Sequence, residues 1–326
     1  MEEKKLSEAC PRVKIVFLCR DYGKVDRGVE SHVEELSKRL KEKFDVHIFS
    51  GKDADDINKI IKGNFNLVIP TNGRVQAAKV SVGRIVGKYK VLIAGHAGIG
   101  RDEIINLLTF PDVYVALTDF ELNWAKKYAF GVELKVIPNG IDLEKFKSIG
   151  RKQNVGLSGQ IILSVGALEW YKYHDLAIKA VSKLPEASLL IVGKGKDNAK
   201  LKNLGNQLLG EKRFKIMDVD YHQMPEIYRS ADLFTLPSWN REAFGIVYLE
   251  AMATGLAVVA PDDLTRSEIV GDGGILVDVF DTEKYAEALK NGLTKKWGDV
   301  PRHQAEKFSW DKICKKYEEL ILQICR

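Results

Sequence analysis

The sequence predicts an α/β protein of two doubly wound domains, each a parallel sheet with helices on both faces. Three observations lead to this prediction. The chain has 326 residues, a length typical of two domains. Short β-rich runs alternate with helical stretches through both halves. Between the two series, residues 147–159 contain three glycines and no periodicity, as a linker would. We expect domains at 1–150 and 151–308 and a C-terminal helix at 309–326.

The first domain is predicted to contain six short strands with helices between them. One helical stretch, Val29–Lys43, places Val33, Leu36 and Leu40 at i, i+3 and i+7 spacing, so that one face is apolar. Alternation of this kind implies a parallel sheet. The predicted strands are Val13–Cys19, Asp45–Phe49, Leu67–Pro70, Val91–Ala94, Val113–Leu117 and Leu134–Pro138.

The second domain is predicted to repeat this plan and to be followed by one further helix. Ser309 is a suitable N-cap for that helix, which is predicted over Trp310–Cys325. The apolar residues of one helical face are Trp310, Ile313, Tyr317, Leu320 and Ile321. The predicted strands are Ile161–Val165, Ser188–Val192, Phe214–Met217, Leu233–Pro237, Ala257–Ala260 and Ile275–Val277.

The composition narrows the class of protein. Hydrophobic residues make up 45% of the chain, enough for two ordinary cores. The net charge of +5 lacks the dense basic patch of a nucleic-acid-binding protein, but it is compatible with peripheral contact with an anionic membrane. Four cysteines without C-x-x-C spacing argue against a zinc site and a disulfide scaffold. With no apolar signal stretch or membrane-spanning run, we expect a cytoplasmic location, compatible with the inner membrane face.

The most informative segment is Pro-Ser-Trp-Asn-Arg-Glu-Ala-Phe-Gly-Ile-Val-Tyr-Leu-Glu-Ala-Met-Ala-Thr-Gly at 237–255. It connects two predicted strands through a loop and a helix, and Phe244-Gly245 opens that helix. A helix start offers free N–H groups to an anion. Glu242 and Glu250 can accept hydrogen bonds from hydroxyls. An anion combined with a polyol suggests a sugar nucleotide, whereas a glycoside hydrolase would need a set distance between the carboxyls that spacing alone does not establish.

This segment resembles the signature of the retaining family-4 glycosyltransferases. The resemblance implies the GT-B architecture, in which two Rossmann-like doubly wound domains face each other across a cleft. It implies transfer of a hexose from a nucleotide diphosphate sugar, with UDP or GDP as nucleotide, to a sugar, glycan or lipid-linked alcohol. The substrate is then the nucleotide sugar, and we expect no cofactor and no essential metal ion. In such proteins the last helix crosses back onto the first domain.

The resemblance extends to the first domain. Gly28 precedes a predicted helix, where the backbone can approach a phosphate closely. The family usually has two adjacent glycines here, and Arg27 replaces the first. His96 follows a predicted strand end, where ligands of open parallel sheets bind. By resemblance, His96 contacts the transferred sugar.

In the second domain the resemblance assigns a lysine to the leaving diphosphate. Lys172 occupies the family's lysine position, but Ala167 stands where the family commonly has arginine. Both family cations neutralise the departing diphosphate. Arg101, Arg241 and Arg266 are candidates to replace the missing cation, and the sequence does not choose among them.

The remaining donor contacts also come from the resemblance. Glu242 would accept from a hydroxyl of the donor sugar, and Glu250 from the ribose hydroxyls. The backbone N–H groups near Phe244 and Gly245, with Ile246 following on the helix, would help to fix the donor. Gly193 follows a predicted strand in a loop on the nucleotide side.

Several alternatives stay open. A nucleotide-sugar epimerase, a phosphorylase and a non-catalytic nucleotide-sugar-binding protein share this architecture, and Ala167 suggests the last. The acidic pairs Asp53/Asp55 and Asp218/Asp220 mimic a metal-binding Asp-x-Asp motif, although Asp53–Asp56 fits a helix start better. The segment Val75–Lys90 mixes apolar and basic residues. It fits a helix on a lipid headgroup surface or an ordinary packed amphipathic helix equally well.

Overall fold

The computed structural model describes residues 12–24 and 28–326, which form two α/β units. Unit 1 runs to Leu117, resumes over Glu121–Ile137 and ends with Ile313–Arg326. Unit 2 comprises Thr118–Phe120 and Pro138–Lys312. Cys10 and Arg27 lie outside the described residues.

All the predicted strands are present, and their ends shift by no more than two residues. The strands are β1 Lys14–Leu18, β2 Asp45–Phe49, β3 Leu67–Pro70, β4 Lys90–Ala94, β5 Val113–Ala116, β6 Glu133–Val136, β7 Gln160–Val165, β8 Ala187–Val192, β9 Phe214–Met217, β10 Leu233–Thr235, β11 Val258–Pro261 and β12 Gly274–Val277. The helices are α1 Gly28–Leu40, α2 Ile57–Lys62, α3 Arg74–Gly87, α4 Arg101–Leu108, α5 Asp119–Ala125, α6 His174–Ser182, α7 Asn198–Leu209, α8 Met224–Arg229, α9 Ile246–Ala253, α10 Leu264–Val270, α11 Thr282–Thr294, α12 Val300–Glu306 and α13 Trp310–Ile324.

The sheet of unit 1 is parallel throughout, as predicted, with the strand order β2-β1-β3-β4-β5-β6. Its central strands are apolar on both faces, because helices cover both sides. Val16, Val68 and Val91 are fully buried in the core. The direction in which the strand order runs changes between β1 and β3. Ligands of doubly wound sheets bind at such a switch point, beyond the carboxyl ends of the strands.

The sheet of unit 2 is also parallel, with the order β12-β11-β10-β7-β8-β9. Counted from β7, this is the 3-2-1-4-5-6 order of dinucleotide-binding folds. Its switch point lies between β7 and β10. Ile162, Leu189 and Leu233 are fully buried beneath the flanking helices. The loops after β7 and β10 must therefore lie side by side at the edge where a ligand would bind.

The C-terminal helix α13 buries the apolar face that the sequence predicts. Each residue of that face is at most 5% exposed: Trp310, Ile313, Tyr317, Leu320 and Ile321. From Ile313 onward the helix belongs to unit 1, where the ring of Tyr317 lies 5.8 Å from that of His32 on α1. Lys43 Nζ lies 2.5 Å from Glu318 Oε2 on the same helix. None of the helices in the described ranges is both long and apolar enough to cross a membrane.

Candidate functional site

The switch point of unit 2 brings together two residues that are 70 positions apart in the sequence. β7 leads into a short 3-10 turn, Trp170–Lys172, and β10 leads into the loop that carries Glu242. The two loops are joined because the backbone N–H of Trp239 donates to the carbonyl of Tyr171 at 2.9 Å. Lys172 Nζ contacts Glu242 Oε2 in an ion pair. The side chains are 14% and 19% exposed, so the pair is largely withdrawn from water but reachable.

The start of α9 differs slightly from the prediction. The helix begins at Ile246, and Gly245 precedes it as N-cap with φ +83°, a left-handed conformation that favours glycine. A Cβ on Gly245 would lie 2.6 Å from the ring of Tyr248. Phe244 is 2% exposed and packs near Phe308, so that only its backbone can face a ligand. That the N–H groups at this helix start bind an anion stays a prediction.

Glu250, on the buried side of α9, already has two hydrogen-bond donors. Tyr228 Oη donates to Oε2 at 2.7 Å and Tyr221 Oη donates to Oε1 at 3.0 Å. The residue is 2% exposed, and burial raises the pKa of its carboxyl. Each carboxylate oxygen retains a second lone pair, so a ribose hydroxyl would have to share the group with Tyr221. Lys145 Nζ lies 3.8 Å from the centre of the Tyr221 ring.

Gly193 allows the loops after β7 and β8 to come close together. A Cβ at this position would lie 1.9 Å from the carbonyl oxygen of Gly166, a distance that no side chain tolerates. The N–H of Gly193 donates to the carbonyl of Met217 at 3.0 Å. The glycine is therefore required by packing between backbone segments, whatever it does for a nucleotide.

The arginines proposed to replace the missing cation at Ala167 lie in three different settings. Arg266 is 0% exposed and bound to protein acceptors, so the expectation that it meets a phosphate is wrong. Arg241 is exposed, with its guanidinium 5.6 Å from the centre of the Trp239 ring. Arg101 is an exposed residue at the start of α4 in unit 1.

In unit 1 Gly28 lies at a helix start and His96 follows a strand end, as predicted. Gly28 is the first residue of α1, after β1. His96 follows β4, and its ring lies edge-on to that of His32, with 4.5 Å between the centroids. Within the part of the chain that the structure describes, Nε2 of His96 is buried without a hydrogen-bond partner. Burial lowers the pKa of His96 from 6.5 to about 4, so that the ring is neutral near pH 7.

Sequence reasoning missed His174, which lies beside the lysine of the pair. His174 begins α6, and its Nδ1 lies 3.1 Å from the buried hydroxyl of Ser164. Burial, followed by the nearby charge of Lys172, lowers its pKa to about 4. The sequence also gave no role to Tyr221, in a 3-10 turn just before α8, or to Tyr228 on α8.

The acidic pairs that mimic a metal motif are occupied by cations of the protein. Asp56 caps α2 by accepting from the N–H of Lys59 at 3.1 Å, in agreement with the predicted helix start. The ion pairs are Asp53 with Lys59, Asp55 with Arg20 and Asp218 with Lys194. Across residues 12–24 and 28–326, no group of three or more His, Cys, Asp or Glu side chains is arranged to hold a metal ion.

Two consecutive doubly wound units, each with a six-stranded parallel sheet, place the protein in the GT-B class of folds. A model of the family described as glycosyl transferases group 1 matches residues 146–308, half of the chain. The chain therefore belongs to this family, and the resemblance drawn from the 237–255 segment is confirmed. The matched region contains Lys172, Glu242 and Glu250.

Individual relatives agree with this assignment. The chain is 34% identical over 186 residues to a phosphatidyl-myo-inositol mannosyltransferase of Mycobacterium tuberculosis, covering 55% of this chain and 48% of the relative. It is 31% identical over 193 residues to a D-inositol 3-phosphate glycosyltransferase of Mycolicibacterium smegmatis, covering 54% and 44%. The chain thus spans about half the length of the curated relatives it matches.

The fold is also similar to solved structures. The HepE protein of Anabaena in complex with UDP superposes with a TM-score of 0.79 at 17% identity, covering 95% of this chain and 100% of the other. A sucrose-phosphate synthase of Thermosynechococcus elongatus superposes with a TM-score of 0.81 at 18% identity, covering 96% and 99%. At these identities the similarity establishes the fold alone.

Proposed function

We propose that this protein is a retaining glycosyltransferase that moves a hexose from a nucleotide diphosphate sugar to an alcohol acceptor. The observation that carries the proposal is the Lys172–Glu242 ion pair at the switch point of unit 2, next to the N-terminus of α9. A cation and free N–H groups suit a diphosphate. A reachable carboxylate beside them suits a sugar hydroxyl.

The bonds that break and form in the proposed reaction determine the role of each of these groups. The bond between C1 of the donor sugar and the diphosphate oxygen breaks, and its electron pair stays on the diphosphate. The acceptor hydroxyl forms the new bond to C1 and passes its proton to an oxygen of the departing diphosphate. Negative charge therefore grows on the diphosphate, where Lys172 and the N–H groups of α9 stabilise it more in the transition state than in the ground state. Glu242 holds the sugar through a hydroxyl, so that C1 is oriented for attack.

The comparisons support a nucleotide-sugar donor and leave its base to experiment. The HepE structures contain UDP or UDP-glucose, and the mycobacterial relatives are named as mannosyl- and glycosyltransferases. A thermal-shift panel of UDP, GDP and ADP sugars will identify the donor. The correct nucleotide should raise the melting temperature by mass action, whereas the others should not.

We further propose a lipid-linked acceptor reached at a membrane surface. Helix α3 buries Ala77 and Val80 in the core of unit 1 but keeps a second apolar face exposed. The exposed residues of that face are Val75 (58%), Val82 (69%), Ile85 (77%) and Val86 (70%). Lys79 and Lys88, both exposed, provide positive charge beside it. Such a face suits an anionic headgroup layer, where each basic residue contributes about 1 kcal/mol.

Vesicle flotation tests this part of the proposal. The protein should float with phosphatidylglycerol vesicles at low salt and less with phosphatidylcholine vesicles. Val82→Asp with Ile85→Asp should abolish flotation. Phe130→Asp is the matched control, because Phe130 is also 69% exposed in unit 1 but lies outside α3. Absence of flotation by the unmodified protein would refute membrane contact through α3.

Nucleotide release in the presence of donor and acceptor tests the activity itself. Glu242→Ala should abolish turnover, because the donor sugar loses its anchor and Lys172 loses its partner. Glu283→Ala is the matched control: Glu283 also pairs with a lysine in unit 2, Lys183, at 2.6 Å, but on the open surface. Full activity of Glu242→Ala would refute the assignment.

A non-catalytic nucleotide-sugar-binding protein is the second candidate, and Ala167 is the observation that favours it. The family's arginine is missing, and among the three proposed replacements Arg266 is committed elsewhere. Such a protein would show a thermal shift with its nucleotide sugar but would release no nucleoside diphosphate. An epimerase would instead yield an isomerised nucleotide sugar without any acceptor.

A further inference from the structure

Arg266 is the largest fully buried side chain in the described ranges of the chain. It lies in the first turn of α10, directly after β11. Burying a guanidinium is costly unless its N–H groups are bound. Nη2 donates to Ser238 Oγ and to the carbonyl of Trp239, both at 2.7 Å, and Nη1 donates to Asp263 Oδ2 at 2.9 Å.

These contacts fix the loop that carries Glu242. The carbonyl of Trp239 also accepts from the N–H of Glu242 at 3.3 Å, and this hydrogen bond closes the turn. The guanidinium of Arg266 therefore binds the same carbonyl oxygen that closes the turn. Asp263 holds Arg266 from the other side. Its Oδ1 accepts from the N–H of Arg266 at 2.9 Å as the N-cap of α10. Arg266 thus ties the start of α10 to the Glu242 turn.

We propose that Arg266 is a positioning residue that holds Glu242 in place for the donor sugar, an inference that rests on the proposed function. Arg266 acts through the hydroxyl of Ser238 and the carbonyl of Trp239 and does not touch a ligand, since its side chain is 0% exposed. A looser loop would misplace the Glu242 carboxylate and, with it, the sugar hydroxyl that it holds. Small misplacements of this kind reduce the rate of the chemical step while binding persists.

The kinetic test uses a variant that leaves no unpaired charge. Arg266→Met combined with Asp263→Asn removes both charges and keeps an N-cap residue on α10. We expect kcat to fall by about tenfold or more, with nucleoside diphosphate affinity within about twofold of the unmodified protein. Arg266→Lys, which retains a positively charged hydrogen-bond donor, should show a smaller fall in kcat than the double variant.

Arg213→Met is the matched control. Arg213 donates to the carbonyls of Ala187 and Leu184 at 2.8 and 2.5 Å, at the amino-terminal end of β8 and thus at the opposite edge of the same sheet. The control should lose stability but keep its kcat at a temperature where circular dichroism shows both proteins folded. An equal loss of kcat in Arg213→Met would mean that general destabilisation explains the effect, and the proposal would fall.

Hydrogen exchange separates this proposal from the proposed function. The Arg266→Met/Asp263→Asn variant should speed amide exchange over residues 239–243 by about tenfold or more while β7 stays protected. Unchanged exchange there would overturn the positioning role whatever the activity. Faster exchange in a protein that turns over no nucleotide sugar in its unmodified form would uphold the positioning role and reject the glycosyltransferase.

Discussion

The pH dependence of unfolding tests the buried histidine next to Lys172. His174 is 1% exposed, and burial followed by the Lys172 charge lowers its pKa from 6.5 to about 4. The unfolded chain therefore takes up this proton at a higher pH than the folded chain. The stability that His174 contributes is fully present above pH 6.5 and is lost as the pH falls from there towards 4.

The size of the effect follows from the two pKa values. A difference of one unit corresponds to about 1.4 kcal/mol, so the whole titration is worth roughly 3 kcal/mol. Between about pH 7 and about pH 5 the free energy of unfolding should fall by about 2 kcal/mol on account of His174 alone. His174→Gln removes this titration, so the variant should lose about 2 kcal/mol less than the unmodified protein over the same interval.

Urea unfolding followed by circular dichroism at a series of pH values provides the measurement. The pH dependence is compared, not the absolute stability, because the substitution itself changes packing around Ser164. His303→Gln is the control, since His303 is exposed on α12. An equal pH dependence in His174→Gln and in the unmodified protein would refute a buried neutral imidazole at this position.

Three further predictions follow from the site. Gly193→Ala should lower the free energy of unfolding by about 1–3 kcal/mol in urea titrations, because a Cβ would meet the carbonyl of Gly166 at 1.9 Å. Tyr228→Phe should cost about 1.5–3 kcal/mol in the same assay, because it removes a 2.7 Å hydrogen bond from the buried carboxyl of Glu250. Lys172→Ala should weaken nucleoside diphosphate binding, as measured by calorimetry. It should also lower kcat/KM by an amount that corresponds to roughly 2.7–4 kcal/mol of lost transition-state stabilisation.

Local patterns in the sequence were sufficient to predict the strands and α13. Buried strands are continuous apolar runs, and the helical face of α13 repeats with the period of the helix, so both signals lie within a few residues. Three of the candidate site residues of unit 2 were predicted in the same way, because one contiguous segment carries Glu242, Gly245 and Glu250. That the loop with Glu242 and the start of α9 lie at the carboxyl edge of the sheet follows from the strand alternation alone.

What the sequence did not predict depends on contacts between distant segments. Arg266 was a candidate phosphate ligand because it is a basic residue near a strand end. Its hydrogen-bond partners, Ser238 and Trp239, lie in another loop that is distant in the sequence. Tyr228 and Glu250 meet only when α8 packs near α9. Likewise, the apolar and basic pattern of α3 fits a packed or an exposed helix, and only the fold shows which residues stay uncovered.

Under the proposed function, the contacts at the switch point couple donor binding to the release of Glu242 from Lys172. Lys172 and Glu242 neutralise each other, so an arriving diphosphate must compete with Glu242 for the lysine. Once the diphosphate takes Lys172, the carboxylate of Glu242 is free to accept from a sugar hydroxyl. The net binding free energy gained in the ground state is the difference between the free energies of two ion pairs, and it is therefore modest. Charge accumulates on the diphosphate as the C1–O bond breaks, which shifts the competition further towards the ligand. The exchange thus favours the transition state over the bound donor, as catalysis requires.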